Sequence, residues 1–264
     1  MRMIVHAGFH RTGTTSIQHM MQRNARKLAR HFRILTRRQM PGLCEAARAW
    51  SLSRDPADLG LVTFELAQIL EPLDRADPRP LVLSSEDLSG HMPGRFGLVG
   101  YDAAPPLMAT IEQTVQTCLP RADLAFFFTT RAAAPWLRST WAQHVRAIRF
   151  TEPRDAYLRR MTPHADLTAT VARIARAVSA PVHTAALEGC ATAPFGPFTP
   201  LLDLMAPPPK LRGKLTALPP SNPAFPDPVL ALFLALNQSD LTRAALAEAK
   251  KTLMEDWRNT ARQD

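Results

Sequence analysis

From residue 6 to residue 16 the chain reads His6-Ala7-Gly8-Phe9-His10-Arg11-Thr12-Gly13-Thr14-Thr15-Ser16, its densest run of usable chemistry. Gly8 and Gly13 let the backbone turn and approach a ligand closely. With a helix starting just after Gly13, the amides of Arg11 to Thr15 converge on an anion at the positive end of that helix. Arg11 adds a fixed charge, and Thr14 and Thr15 add hydroxyl donors. This is a cradle for a phosphate-like group. A Walker A loop needs Lys directly after its second glycine, followed by Ser or Thr on magnesium. Here Thr14 holds the Lys position, and the cation comes two residues before Gly13. ATP or GTP hydrolysis of the usual kind is therefore disfavoured.

The elements that must position this loop are legible around it. Met3-Ile4-Val5 predicts a strand ending before Gly8. From Thr15 to Arg30, Ile17, Met20, Met21 and Leu28 recur at helical spacing. Leu81-Val82-Leu83 and Leu124 to Thr130 read as buried strands, Ala132 to Ile148 and Ala165 to Val178 as helices, and Pro181 to Ala185 as a last strand. Such alternation predicts an α/β fold, a mainly parallel central sheet flanked by helices, in a single domain over 1–264. Ligands of these sheets sit at the carboxyl ends of the strands, so Gly8 to Thr15, Ser84 to His91 and Arg131 carry the functional weight. Eleven of the 24 prolines fall between Pro194 and Pro228. Because Pro lacks an amide hydrogen, 194–228 is expected to be extended and to wrap the surface. C-terminal helices over 228–258 follow, Pro228 to Leu236 and Ser239 to Trp257, with Ser239 as N-cap of the second.

Composition narrows the classes. In 264 residues, 46% are hydrophobic and 21% charged, enough for a packed core and against disorder. The longest strongly apolar run, Val229 to Leu236, is far short of a membrane span. Cys44, Cys118 and Cys190 are odd in number and widely spaced, which fits neither a disulfide framework nor a C-x-x-C metal site. A reducing, cytoplasmic compartment is the simple reading. Lys+Arg 32 against Asp+Glu 23 gives a net charge of +9. Nine basic residues and no acid lie between Met1 and Cys44, a bias that favours polyanionic partners. An Arg-rich, acid-free start is also the composition of an organellar transit peptide, but a disposable leader does not need a strand, a glycine turn and a helix.

The loop resembles that of the PAPS-dependent sulfotransferase family. There a strand leads into Lys-x-Gly-Thr-Thr over the 5′-phosphosulfate of 3′-phosphoadenylyl sulfate (PAPS), and the form here is particularly like bacterial members. A second match supports the first. The family binds the 3′-phosphate with an Arg at the end of a strand and a Ser eight residues later, and Arg131 and Ser139 have that spacing. The resemblance covers Met1 to Arg149, with a looser likeness at Asn222 and Asn237. It implies a P-loop NTPase-like architecture and a nucleotide site of His10, Arg11, Thr12, Gly13, Thr14, Thr15, Ser16, Arg131 and Ser139. At position 11 the family more often carries Lys; carbohydrate sulfotransferases with an Arg-Ser-Gly-Ser-Ser loop carry Arg there. Arg212-Gly213-Lys214 is similar to a basic-glycine loop that closes over the 3′-phosphate in some members.

The implied reaction is in-line transfer of a sulfuryl group from PAPS to an acceptor hydroxyl or amine, leaving adenosine 3′,5′-bisphosphate. Arg11 would neutralise the departing phosphate oxygen, and positioned donors would dominate catalysis. Family members take the acceptor proton with His or Glu, which makes Glu86 the first candidate base and His91 the second. No metal is implied, and the sequence holds no convincing metal-ligand cluster. The acceptor, a small molecule or a carbohydrate, is expected to meet Gly90 to Pro106 and Phe150 to Pro163. Two rivals stand beside this reading. A P-loop kinase acting on a small molecule would need magnesium and gives Arg131 and Ser139 no role. A noncatalytic nucleotide- or anion-binding protein is allowed by the charge. Nucleic acid is disfavoured because no aromatics interleave with a basic strip. Ser84 and Ser85 lack the G-x-S-x-G elbow of a hydrolase, and Trp136 and Trp141 read as helix packing.

Overall fold

The computed structural model describes residues 1–219 and 225–260. They divide into two compact units, Met1–Ala133 with Asp166–Ser221, and Ala134–Ala165 with Asn222–Asp264. The first holds five strands, β1 Arg2–His6, β2 Arg33–Thr36, β3 Leu81–Ser84, β4 Asp123–Thr130 and β5 Val182–Ala186. Its helices are α1 Thr14–Arg23, α2 Ala25–Leu28, α3 Pro41–Ser53, α4 Pro56–Leu70, α5 Ala104–Cys118, α8 Leu167–Ala177, α9 Phe198–Met205 and α10 Pro209–Arg212. The second holds α6 Ala133–Ala147 beyond its first residue, α7 Arg154–Met161, α11 Asp227–Gln238 and α12 Arg243–Thr260.

The sheet is wholly parallel in the order β2-β3-β1-β4-β5, as the alternating pattern predicts. Its three inner strands are buried along their length because helices cover both faces. Alternation divides the side chains between those faces. Ile4, Val82 and Phe127 join Ile17, Met20 and Met21 of α1 and Phe198, Leu201, Leu202 and Met205 of α9 in one core cluster. Met3, Val5, Leu83, Phe126 and Phe128 point the other way and are equally buried. The two outer strands, β2 and β5, are less buried. β2 has no sequence expectation behind it; four residues between two basic stretches give too short a pattern.

Three expectations need correction. The helix predicted over Thr15 to Arg30 breaks at Asn24. Its amide donates to the carbonyls of Met20 (3.0 Å) and Thr216 (2.9 Å), and its side-chain oxygen accepts from the Thr216 amide (2.8 Å). A side chain that binds the carbonyl one turn back competes with the next helical turn. The stretch 194–228 is not simply extended, since α9 and α10 lie within it. Pro200 and Pro209 fall in first turns, where the missing amide hydrogen has no helical partner to lose. Buried Phe198, Leu201 and Leu202 make α9 core rather than wrapping. Ser239 ends α11 rather than starting α12: its hydroxyl donates to the Leu236 carbonyl (2.8 Å), and the Thr242 hydroxyl accepts from the Ala245 amide (3.3 Å).

In the second unit, Trp136, Tyr157 and Phe233 are fully buried. The Lys250 ammonium closes the end of α6 by donating to the carbonyls of Val145 and Ile148, both at 2.7 Å. Among the described residues no helix is long and apolar enough to cross a membrane.

If α9 is part of the core, Leu202→Ala should destabilise the fold by about 2–5 kcal/mol through lost burial and a residual cavity. Chemical denaturation reads this directly. A loss below about 1 kcal/mol would put α9 at the periphery.

Candidate functional site

In the order β2-β3-β1-β4-β5, the connection from β1 runs towards β2 on one side, and that from β4 runs to β5 on the other. The carboxyl ends of β1 and β4 therefore flank the switch point where a parallel sheet forms its ligand crevice. The residues that leave β1 there are Ala7 to Gly13, and the residue that leaves β4 is Arg131.

The loop is held from inside by its own Phe9, fully buried, stacked on Phe128 (centroids 5.4 Å apart) and tilted against Tyr101 (4.6 Å). The Thr12 hydroxyl donates to the Phe9 carbonyl (2.7 Å) and lies 2.8 Å from that of Thr129 on β4. Thr12 thus fastens the loop rather than offering its hydroxyl outward. Arg11 and Gly13 both have positive φ, 67° and 105°, which curls the backbone before α1. For Gly13 the conformation is free of cost, whereas for Arg11 it is one that non-glycine residues rarely hold.

α1 starts with no side-chain cap and no acid in its first turn. Its positive end is therefore left for an anion from outside. Thr14 is 3% exposed, and its hydroxyl has no hydrogen-bond partner; the same is true of His6 Nε2. A Cβ at Gly8 would fall 2.5 Å from that hydroxyl and 3.0 Å from His6 Nε2. The bare Gly8 thus opens a polar recess beside two orphaned atoms. Thr15 and Arg11 are exposed, and Ser16 is half-buried. Arg131 donates from Nη1 to the Arg11 carbonyl at 3.1 Å, so the end of β4 is tied to the loop. Behind it, Glu188 accepts from the Ala132 amide (3.0 Å). Ser139 lies half-buried on α6, in the second unit.

On the β3 side, Ser84 is 2.8 Å from His6 Nδ1, and Ser89 donates to the Ala7 carbonyl (2.6 Å). Glu86 follows β3, half-buried, with no hydrogen bond or ion pair among the described residues. His10 is steered by two neighbours: its Nδ1 lies 3.0 Å from the Tyr101 hydroxyl and its Nε2 3.6 Å from Asp87 Oδ1. Asp87 itself is buried beside Arg37 (3.1 Å) and Arg48 (3.9 Å). Burial alone would raise its carboxyl, but His10, Arg37 and Arg48 together hold it below the ordinary range. Burial pushes the His91 imidazole down to about 4, helped by Arg48 and Arg95, which leaves it a weak base at neutral pH.

Of the residues expected from the sequence, the loop, Arg131, Glu86 and His91 all lie in the first unit at the carboxyl ends of the strands. Arg212 instead pairs with Asp203 at the end of α10. Asn237 donates to the carbonyls of Val145 and Phe150 (2.8 and 2.9 Å), a structural duty, and Asn222 lies outside the described residues. The sequence carried no individual role for Asp87, Arg37, Arg48 or Tyr101, although Asp87 falls in Ser84 to His91, Tyr101 in Gly90 to Pro106 and Arg37 in the basic run before Cys44. Comparison with known protein families, with curated proteins and with solved structures finds no match.

Burial also pushes the His6 imidazole from 6.5 down to about 3. The unfolded chain binds this proton at pH values where the folded chain does not. The stability tied to a neutral His6 is therefore complete above about pH 6.5 and falls as pH drops towards about 3, by roughly 1.4 kcal/mol per pH unit at the steepest. Denaturation midpoints at pH 7 and pH 5 should differ less in His6→Gln than in the wild type. An equal drop in both would remove His6 as the cause.

Proposed function

We propose that the chain is a sulfotransferase that moves a sulfuryl group from PAPS to an acceptor hydroxyl or amine. The observation that carries this reading is the 3.1 Å bond from Arg131 to the Arg11 carbonyl. It joins at one crevice the two cations that the resemblance assigns to opposite ends of the nucleotide. A P-loop-like cradle is further supported by the uncapped start of α1 and the orphaned Thr14 hydroxyl, both suited to a dianionic group.

In the transfer, the acceptor oxygen or nitrogen forms a bond to sulfur as the bond from sulfur to the phosphate oxygen breaks. The electron pair leaves on the bisphosphate, and the acceptor proton goes to a base. Arg11 meets the charge that grows on the leaving oxygen. The amides of Gly13 to Thr15 and the hydroxyls of Thr14 and Thr15 orient the 5′ end, while Arg131 takes the 3′-phosphate. Glu86 is the base: among the described residues no hydrogen bond or ion pair engages its carboxylate, whereas His91 is held down at about 4. The working compartment is reducing and cytoplasmic; Cys44, Cys118 and Cys190 are free thiols, and burial pushes Cys44 up to about 12.

Adenosine 3′,5′-bisphosphate at ~100 times its dissociation constant should stabilise the fold by about 2.7 kcal/mol, a melting shift of roughly 5–10 °C. Arg131→Ala should weaken that shift, and ADP with magnesium should not reproduce it. No shift, or one seen only with ADP and magnesium, would sink the reading in favour of an anion-binding protein or a kinase. Glu86→Gln should keep the full melting shift yet lower turnover of radiolabelled PAPS by about 10²–10⁴-fold. Unchanged turnover would take the base role from Glu86.

A further inference from the structure

The buried Asp87 carboxylate has more positive charge around it than it needs. Arg37 Nε lies 3.1 Å from Oδ2, but without the alignment of a hydrogen bond, and Arg48 Nε lies 3.9 Å from Oδ1. Arg95 is close enough to feel both Asp87 and Arg48, and its buried Nε has no hydrogen-bond partner among the described residues. Asp87 faces three guanidiniums, and even with the neighbouring Glu86 counted an excess of one positive charge remains. A purely structural role for the cluster would need only one of these arginines. Gathering like charges in a half-buried place is unfavourable unless an anion completes it.

The cluster is also open and adaptable. The Arg37 and Arg48 side chains are 56% and 28% exposed. Among the described residues no hydrogen bond engages the terminal nitrogens of either, so both forks can still grip an oxyanion. At the rim, Phe96 is 64% exposed, sits in the left-handed region (φ 55°) and has the Arg95 guanidinium 5.2 Å from its ring centre. It gives an apolar face beside the charged one.

Position decides what such an anion would be. Arg37 directly follows β2, Asp87 comes three residues after the end of β3, and His10 belongs to the loop after β1, so the cluster lies on the same sheet edge as that loop. It is on the β3 side of β1, whereas Arg131 is on the β4 side. Glu86 is the residue next to Asp87. We propose that Arg37, Arg48 and Arg95 form an oxyanion subsite that anchors an acceptor already carrying a carboxylate or sulfate, with its reactive hydroxyl held towards Glu86. The acceptor part of this inference rests on the sulfuryl-transfer reading; the oxyanion subsite does not.

The test is equilibrium binding of two fluorescent probes to the full chain: an unsulfated hyaluronan tetrasaccharide, which carries carboxylates only, and a heparin tetrasaccharide, which adds sulfates. Arg37→Gln/Arg48→Gln should weaken binding of the preferred probe about tenfold or more. The control pair Arg23→Gln/Arg26→Gln, on the exposed face of the first helices, should change it by less than about twofold. Asp87→Asn carries the opposite sign: with the competing carboxylate gone, binding should tighten severalfold. This variant keeps the proposal open to refutation should the double arginine variant fold poorly. Equal weakening by both arginine pairs, no binding of either probe, or weaker binding by Asp87→Asn would overturn the subsite. Failure of the bisphosphate to stabilise the fold, with Arg37/Arg48-dependent binding intact, would instead remove sulfuryl transfer and leave the subsite standing.

Discussion

β1 is paired along its length to β3 on one side and β4 on the other, and four of its five residues are buried. Whatever follows it must emerge at the middle of the sheet edge, with a strand end on either hand. The chain turns there through Gly8, because any side chain would collide with Thr14 and His6, and enters α1 through Gly13 in the left-handed region. The position of the β1–α1 loop thus follows from hydrogen bonding in the sheet. Its shape follows from two glycines. Phe9 and Thr12 then fix the loop to β4 from below, by packing and by hydroxyl contacts.

Electrostatics at this edge run in one direction. The start of α1 is uncapped, Arg11 and Arg131 meet through a backbone carbonyl, and three arginines converge on a single buried carboxylate. Like charges at short range raise the free energy of the folded protein. Burial keeps the His6 imidazole neutral, and at His91 the nearby Arg48 and Arg95 add to the effect of burial. A surface merely rich in arginine would disperse these charges. Here they are gathered at strand ends, opposite one another across β1.

The proline-rich segment shows how local preference yields to packing. Prolines forbid a continuous helix, but in a first turn they forbid nothing, and between them lie Phe198, Leu201, Leu202 and Met205 at helical spacing. Their burial with Ile4 and Phe127 puts this late stretch of chain against the first strand of the sheet. Asn24 and Thr216 add a polar clasp between the same distant parts of the sequence.

Glycine spacing, the apolar runs of β1, β3 and β4, and the helical repeat after Gly13 are local signals. By themselves they determined an α/β fold, the place of the glycine-bounded loop after β1, and Arg131 as the residue leaving β4. A strand as short as β2 left no such trace, and neither did α9 and α10 within the proline-rich stretch. The cluster around Asp87 was out of reach for a different reason. Arg37, Arg48, Asp87 and His10 come from four separate segments and carry no spacing relative to one another. Only parallel pairing of β1, β2 and β3, which brings their carboxyl ends to one edge, makes them neighbours. Periodicity records what a residue does within its own element, and charge convergence across elements exists only once the sheet has formed.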